Sequence, residues 1–140
     1  MTTNARVGVG ATLGLGNSAS PTVYTNVAEI TNISGPEISV EQVEASTLDS
    51  TGGYKEFIPG LKDGGSVSFT MNWTNKASQQ SIRNLIGGTS NSKFLITLPT
   101  SPLSRFRFEG IVESMSWSAE PNAPMTSDVT IKISGAVAFT

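Results

Sequence analysis

The sequence predicts an all-β domain, an antiparallel β-sandwich or barrel carrying one α-helix on its flank. Three observations carry that prediction. Residues 66–73 alternate strictly, with Val67, Phe69, Met71 and Trp73 on one face, the period of a half-buried strand. The C-terminal stretch repeats the pattern, with Val129, Ile131, Ile133, Gly135, Val137 and Phe139 in phase. Only one segment has a helical stripe, Ile82, Leu85 and Ile86, with Asn75 placed to cap it and Gly87-Gly88 to stop it. Several short strands with a single helix fit a sandwich or barrel rather than a layered α/β fold.

The remaining elements follow along the chain. Residues 1–21 are rich in Gly, Ser, Thr and Asn and end at Pro21. Residues 6–15 alternate small and apolar side chains, yet the glycines at 8, 10, 14 and 16 leave little to pack. Two readings fit this region: a flexible arm whose order depends on a neighbour, or an ordinary frayed terminus. A single domain is expected over residues 22–140. Residues 23–33 and 38–43 read as two strands separated by Ser34-Gly35-Pro36, pairing as a long hairpin. Residues 46–65, broken by Gly52-Gly53, Pro59-Gly60 and Gly64-Gly65, fit neither period. So long a connection in a compact domain points to function or disorder. Phe94, Ile96 and Leu98 mark the next strand, and residues 105–118 a long one. Its apolar phase shifts from Phe106 and Phe108 to Ile111, Met115 and Trp117, predicting a bulge near Gly110.

Composition excludes much chemistry. The 140 residues give one domain with one core. There is no cysteine and no histidine, which removes disulfides, thiolate nucleophiles, Cys/His zinc sites and the usual neutral-pH base. Charged residues make up 14%, against roughly 25% in an ordinary soluble domain. An uncharged polar surface lets identical copies pack side by side, and it also suits a sugar-binding module. The net charge is −2 with no Lys/Arg run, which argues against gripping nucleic acid through phosphates. The first residues lack the pattern of a signal peptide, and no apolar stretch approaches the roughly 20 residues of a membrane span. The expectation is a soluble protein made in the cytoplasm, with no membrane partner.

Few groups are left as catalytic or ligand candidates. Gly8-Val-Gly10-Ala-Thr-Leu13 imitates a dinucleotide fingerprint but has leucine where the third glycine belongs. Asp49 and Asp63 bracket the long segment without the acidic ladder of a calcium loop. Glu29, Glu37, Glu41 and Glu44 lie close in sequence. They read as a solvated strand face, as an acid pair without a visible cleft, or as a wall facing something negative. Trp73 and Trp117 are phased with the core, the alternative being a stacking surface for a sugar. The expectation is no catalytic residue, no metal and no cofactor.

Residues 46–65 read Ser-Thr-Leu-Asp-Ser-Thr-Gly-Gly-Tyr-Lys-Glu-Phe-Ile-Pro-Gly-Leu-Lys-Asp-Gly-Gly. This segment resembles the signature loop of the major tail tube proteins of long, flexible-tailed bacteriophages. The order of elements over residues 22–140 matches as well: a strand pair, the loop, an alternating strand, a capped helix and three more strands. Many members of that family carry a further C-terminal domain, so the resemblance implies a minimal form here.

The resemblance implies a structural virion protein whose partner is itself. Strands of six subunits join into a ring barrel, and rings stack into a tube through which double-stranded DNA passes without specific binding. It also implies contact with a tape measure protein, a tail tip or initiator and a tail terminator, in a tail assembled in the host cytoplasm. Within the loop, Phe57, Ile58 and Leu61 are expected to be apolar anchors presented by a Pro59-Gly60 turn, with Leu48, Asp49, Tyr54 and Asp63 as lesser contacts. The four glutamates are expected to include lumen-facing acids that repel the phosphates. The competing expectation from another class is a cell-surface or glycan-binding β-sandwich.

Overall fold

The computed structural model describes residues 10–17, 22–48, 51–100 and 102–139. Ten strands and one helix follow in order: β1 (Thr12–Gly16), β2 (Tyr24–Asn26), β3 (Ile30–Ser34), β4 (Ser39–Glu44), β5 (Phe57–Asp63), β6 (Ser66–Asn72), α1 (Ala77–Arg83), β7 (Ser92–Leu98), β8 (Ser104–Ser118), β9 (Thr126–Ile133) and β10 (Ala138–Phe139). The main sheet has the order β2-β1-β7-β8-β9-β6-β3, with β10 also paired to β8. Strands β4 and β5 form a separate two-stranded ribbon.

The connection between β2 and β3 forces the sheet to curl. These two strands are the opposite ends of the main sheet. Laid flat, they would stand roughly 29 Å apart at about 4.8 Å per strand. Residues 27–29, which join them, can reach only about 14 Å. The curled sheet encloses one core, in which Leu13, Phe69, Met71, Phe94, Ile96 and Ile131 are almost wholly buried. Ile82 of α1 closes it.

One buried polar side chain fastens the curl. Gln79 Nε2 donates to the carbonyls of Ala28 (3.0 Å) and Asn72 (2.8 Å), and its Oε1 accepts from the Thr74 N–H (3.0 Å). Ser78 Oγ accepts from the Ala28 N–H (3.1 Å). The helix thus ties the 27–29 crossover to the end of β6. An amphipathic reading of α1 sees only Ile82 and its neighbours, because a glutamine on a short helix looks like surface.

Strands β6, β7 and β9 lie where alternation puts them. Several other expectations are corrected. Residues 12–16 of the predicted arm form β1, between β2 and β7, with Leu13 fully buried; Tyr24 and Lys93 lie over Gly16 and supply the packing it lacks. The rest of the arm, apart from residues 10, 11 and 17, falls outside the described residues.

The predicted hairpin of residues 23–33 and 38–43 does not form. Glu29 takes φ 64, which splits the first segment into β2 and β3; β3 then pairs with β6, and β4 with β5. Asn75 is not the cap of α1: the cap position is Lys76 with no side-chain bond, and Asn75 (φ 57) offers its carbonyl to Gln80 Nε2 at 2.7 Å. In β8 the irregularity falls between Val112 and Ser114. Phe108, Gly110 and Val112 therefore share the inward face, and Ile111 points out at 40% exposure. The last alternating run breaks after Ile133, where Ser134 donates its N–H to the Glu109 carbonyl (2.8 Å). Phe139 lies against Phe106 edge-to-face, centroids 5.4 Å apart.

Candidate assembly surface

The segment that fitted neither period contains a strand. Within residues 46–65 the chain makes a 3₁₀ turn at Thr51–Gly53 and then β5. Its pairing explains why the sequence hid it. Pro59 lies opposite Gln42, and the register slips immediately afterwards, so that Gly60 and Leu61 together face Glu41. A proline is tolerated beside a bulge on an edge strand, where the ladder is already interrupted. Pro59-Gly60 is therefore part of a strand and not the turn that was expected.

Every residue of β4 and β5 is exposed, including apolar ones that a solitary domain would cover. Val43 pairs with Ile58 on one face of the ribbon, and Glu44 with Phe57 on the other. Leu61 is 81% exposed. At the tip, Ala45 and Glu56 are joined by a backbone bond (2.8 Å), and Ser46 Oγ accepts from the Glu56 N–H (2.8 Å). Leu48 and Tyr54 stand in solvent there. Asp49 lies outside the described residues.

The base of the ribbon is fastened to the main sheet. Gly65 has φ +71, and a Cβ there would run into the Glu37 carbonyl. The Gly65 carbonyl accepts from the Ile133 N–H (3.0 Å), while Asp63 Oδ1 accepts from the Gly65 N–H (2.8 Å) and from Lys132 Nζ (3.4 Å). The Gly65→Ala variant is expected to lose stability by about 1–3 kcal/mol, from left-handed strain plus the backbone clash. Urea unfolding measures it, and an unchanged midpoint would contradict this account of the base.

The Asp63 carboxyl is held below the ordinary carboxylate value, chiefly by the Gly65 N–H and then by Lys132. A depressed folded value means its contribution is present above the unfolded pKa and is lost as pH falls through the lowered one. The Asp63→Asn variant should therefore be less stable than the parent at neutral pH and converge on it as pH falls through the lowered value, which flattens the acid limb. Identical acid limbs in variant and parent would remove Asp63 from the clamp.

Beside the base runs an apolar groove of about 730 Å³ lined by Ile38, Val40, Ile133, Val137 and Phe139 among others. Sequence reasoning missed it, because it joins β4 to the chain end and no local pattern connects them. Trp73 and Trp117 meet edge-to-face, centroids 5.7 Å apart. Trp73 packs on the core, whereas Trp117 is 49% exposed.

The four glutamates are dispersed. Glu29, at the β2–β3 crossover, pairs with Lys76 (3.4 Å). Glu37 sits at the ribbon base, and Glu41 and Glu44 lie along β4. Among the described residues, no cluster of three metal-ligating side chains occurs.

The exposed apolar residues of the ribbon and the curled sheet that carries it are the features set against known proteins. The family model of the lambda phage tail tube protein matches residues 9–140. The chain belongs to the lambda phage tail tube protein family. It is 29% identical over 136 residues to Structural protein 3 of Pseudomonas phage PAJU2, spanning 81% of this chain and 80% of that protein. Its fold is similar to that of a chain in the virion of a native gene transfer agent particle, with TM-score 0.75 at 18% identity over 97% of this chain and 99% of the other. It also resembles the SPP1 tail tube, with TM-score 0.63 at 12% identity over 92% of this chain and 75% of the other. A chain in the sheath/tube terminator structure of an extracellular contractile injection system shares the fold too, with TM-score 0.69 at 13% identity over 99% of both chains. The tail tube family assignment makes this chain a structural component of a phage virion tail.

Proposed function

We propose that this tail tube protein acts by polymerising with itself, six copies closing a ring and rings stacking through the β4–β5 ribbon, and that it carries no catalytic activity. The observation that carries this reading is the ribbon, fastened at its base and exposed along both strands with Val43, Phe57, Ile58 and Leu61 uncovered. Apolar patches of that kind mark protein contacts. Ring closure needs a head-to-tail contact, and stacking needs a second one along the axis.

The sheet offers the first contact. Strand β7 covers β8 only as far as Gly110, so the same edge of residues 111–118 has no partner strand among the described residues. Among the described residues, strand β3 pairs only with β6. Joining the β8 edge of one copy to the β3 edge of the next removes both open edges. The ribbon supplies the second contact, with Phe57, Ile58 and Leu61 as anchors, and Leu48, Tyr54 and the segment through Asp49 at its rim.

The tube conducts double-stranded DNA without binding it, and its ends meet a tape measure protein, a tail tip or initiator and a terminator. Assembly takes place in the host cytoplasm. Glu37, Glu41 and Glu44, exposed along the ribbon and its base, form a repelling collar around the conduit. Reversing each to Lys should spare assembly and lower genome delivery; unaffected infectivity would remove that residue from the collar. Electron microscopy of the concentrated protein tests polymerisation itself.

A further inference from the structure

We propose that Trp117 is a knob carried on the free edge of β8, and that it seats in an apolar groove beside β3 of the neighbouring copy in the ring. The inference rests on the ring-closure reading and adds which side chain locks the joined edges and what receives it. Within β8, Met115 lies opposite Val129 and Trp117 opposite Ser127. Val129 and Ser127 are both buried, so Trp117 is turned to the core side of the sheet. It nevertheless stays 49% exposed, although Trp73 lies edge-to-face against it. Half of a large indole therefore overhangs an edge that no strand of the described residues covers. Tryptophan is enriched among the few residues that dominate protein contacts.

The opposite edge carries a matching recess. Ile30 and Ile33 of β3 lie opposite the buried Met71 and Phe69, so they too face the core side. With Gly10, Ala11 and Leu98 they line a groove of about 570 Å³. That is within the roughly 300–1,000 Å³ that admits a whole small ligand, and so ample for an indole. Strands β3, β6, β9 and β8 are each antiparallel to the next. Repeating that four-strand unit around a ring sets β8 antiparallel to the β3 that follows, with the core sides continuous. Side chains directly opposite across such a pair stand about 4.5–5.5 Å apart at Cβ, within reach of an indole. Trp117 then covers Ile30 and Ile33 of the next copy. Each subunit gives one knob and offers one groove, as a head-to-tail ring requires. Register along a joined edge is set by the apolar pattern of the buried face, and the knob supplies that pattern.

The chain has two tryptophans, Trp73 and Trp117, and no cysteine, so both indole and thiol probes read cleanly. In the full-length Trp73→Phe variant the remaining indole reports Trp117 alone. On assembly its emission should move to shorter wavelength, and its quenching by acrylamide should fall several-fold. Unchanged emission and quenching in assembled tubes would overturn the inference, and is the outcome expected of an open sugar-stacking surface. The groove is tested with the double variants Trp117→Cys/Thr31→Cys and Trp117→Cys/Ile33→Cys, since Thr31 and Ile33 both line it. Within one chain these positions lie three strands apart, roughly 14 Å at about 4.8 Å per strand, too far for a disulfide. Oxidised tubes should therefore give, for at least one pair, a ladder of linked chains ending at the closed ring of six. Trp117→Cys/Ser34→Cys should give none, because Ser34, opposite Ser68, is on the other face. A protected Trp117 with no ladder from either pair would overturn the inference by placing the indole against another surface, such as the next ring. A parent protein that forms no tubes at all would bring down the ring reading and this inference with it, a result distinct from tubes in which Trp117 stays exposed.

Discussion

The double variant Phe57→Ala/Ile58→Ala is expected to remain folded and to form no tubes. Both side chains are about half exposed, at 53% and 54%, so truncating them removes little from the folded chain's own core. The proposed ring-stacking contact would bury the same side chains. An apolar side chain of this size contributes about 1.5–3 kcal/mol when fully buried. Losing two at each of many repeated contacts multiplies along the polymer. Circular dichroism and urea unfolding should match the parent, while sedimentation shows no assembled material at concentrations where the parent polymerises. Normal tubes from the variant would refute the role of the ribbon. A loss of the unfolding transition would refute its independence from the core.

A large loss of stability is expected from Gln79→Ala. The side chain is wholly buried and holds three backbone groups, the carbonyls of Ala28 and Asn72 and the Thr74 N–H. Removing it strands all three, at about 1–3 kcal/mol for each buried group left unpaired. Allowing for partial relaxation, the expected cost is about 3 kcal/mol or more, a large share of the roughly 5–15 kcal/mol that holds a domain together. The crossover at residues 27–29 should open first, so amide exchange at Ala28 and Thr74 would accelerate more than at β9. A loss under about 1 kcal/mol would mean that water replaces the glutamine and that the clamp is not structural.

The parts of this fold that sequence made legible are those where one face is buried. Val67, Phe69 and Met71 alternate because β6 has core on one side and Ser68, Thr70 and Asn72 turned away from it on the other, and periodicity reports that directly. The ribbon was hidden because neither of its faces is buried in the isolated chain, so β5 shows no alternation, and Pro59 with Gly60 at the bulge looks like a break. Gly110 suggested a bulge where none lies: its actual constraint is closeness, since a Cβ there would stand 2.6 Å from the Lys132 carbonyl. The glycines of β1 suggested an arm, because their packing is supplied by Tyr24 and Lys93 from other strands. Gln79 was invisible because its partners lie in other segments, 51 and 7 residues away.

The candidate anchors show the same division. The resemblance of the 46–65 segment points to Leu48, Tyr54, Phe57, Ile58 and Leu61, and all five are exposed. Their pairing with β4 and the groove beside Phe139 come only from the three-dimensional arrangement. The acids Glu29, Glu37, Glu41 and Glu44 are neighbours in sequence but not in space. Strand pairing sends Glu29 toward α1 and the other three toward the ribbon.

The most direct test of self-assembly is electron microscopy of the purified chain, dilute and then concentrated, with sheared tail fragments added as seeds in a parallel sample. Hollow tubes of uniform width, built from six-fold rings and lengthening from the seeds, are the predicted result. A monodisperse monomer at every concentration that also fails to extend the seeds would contradict it.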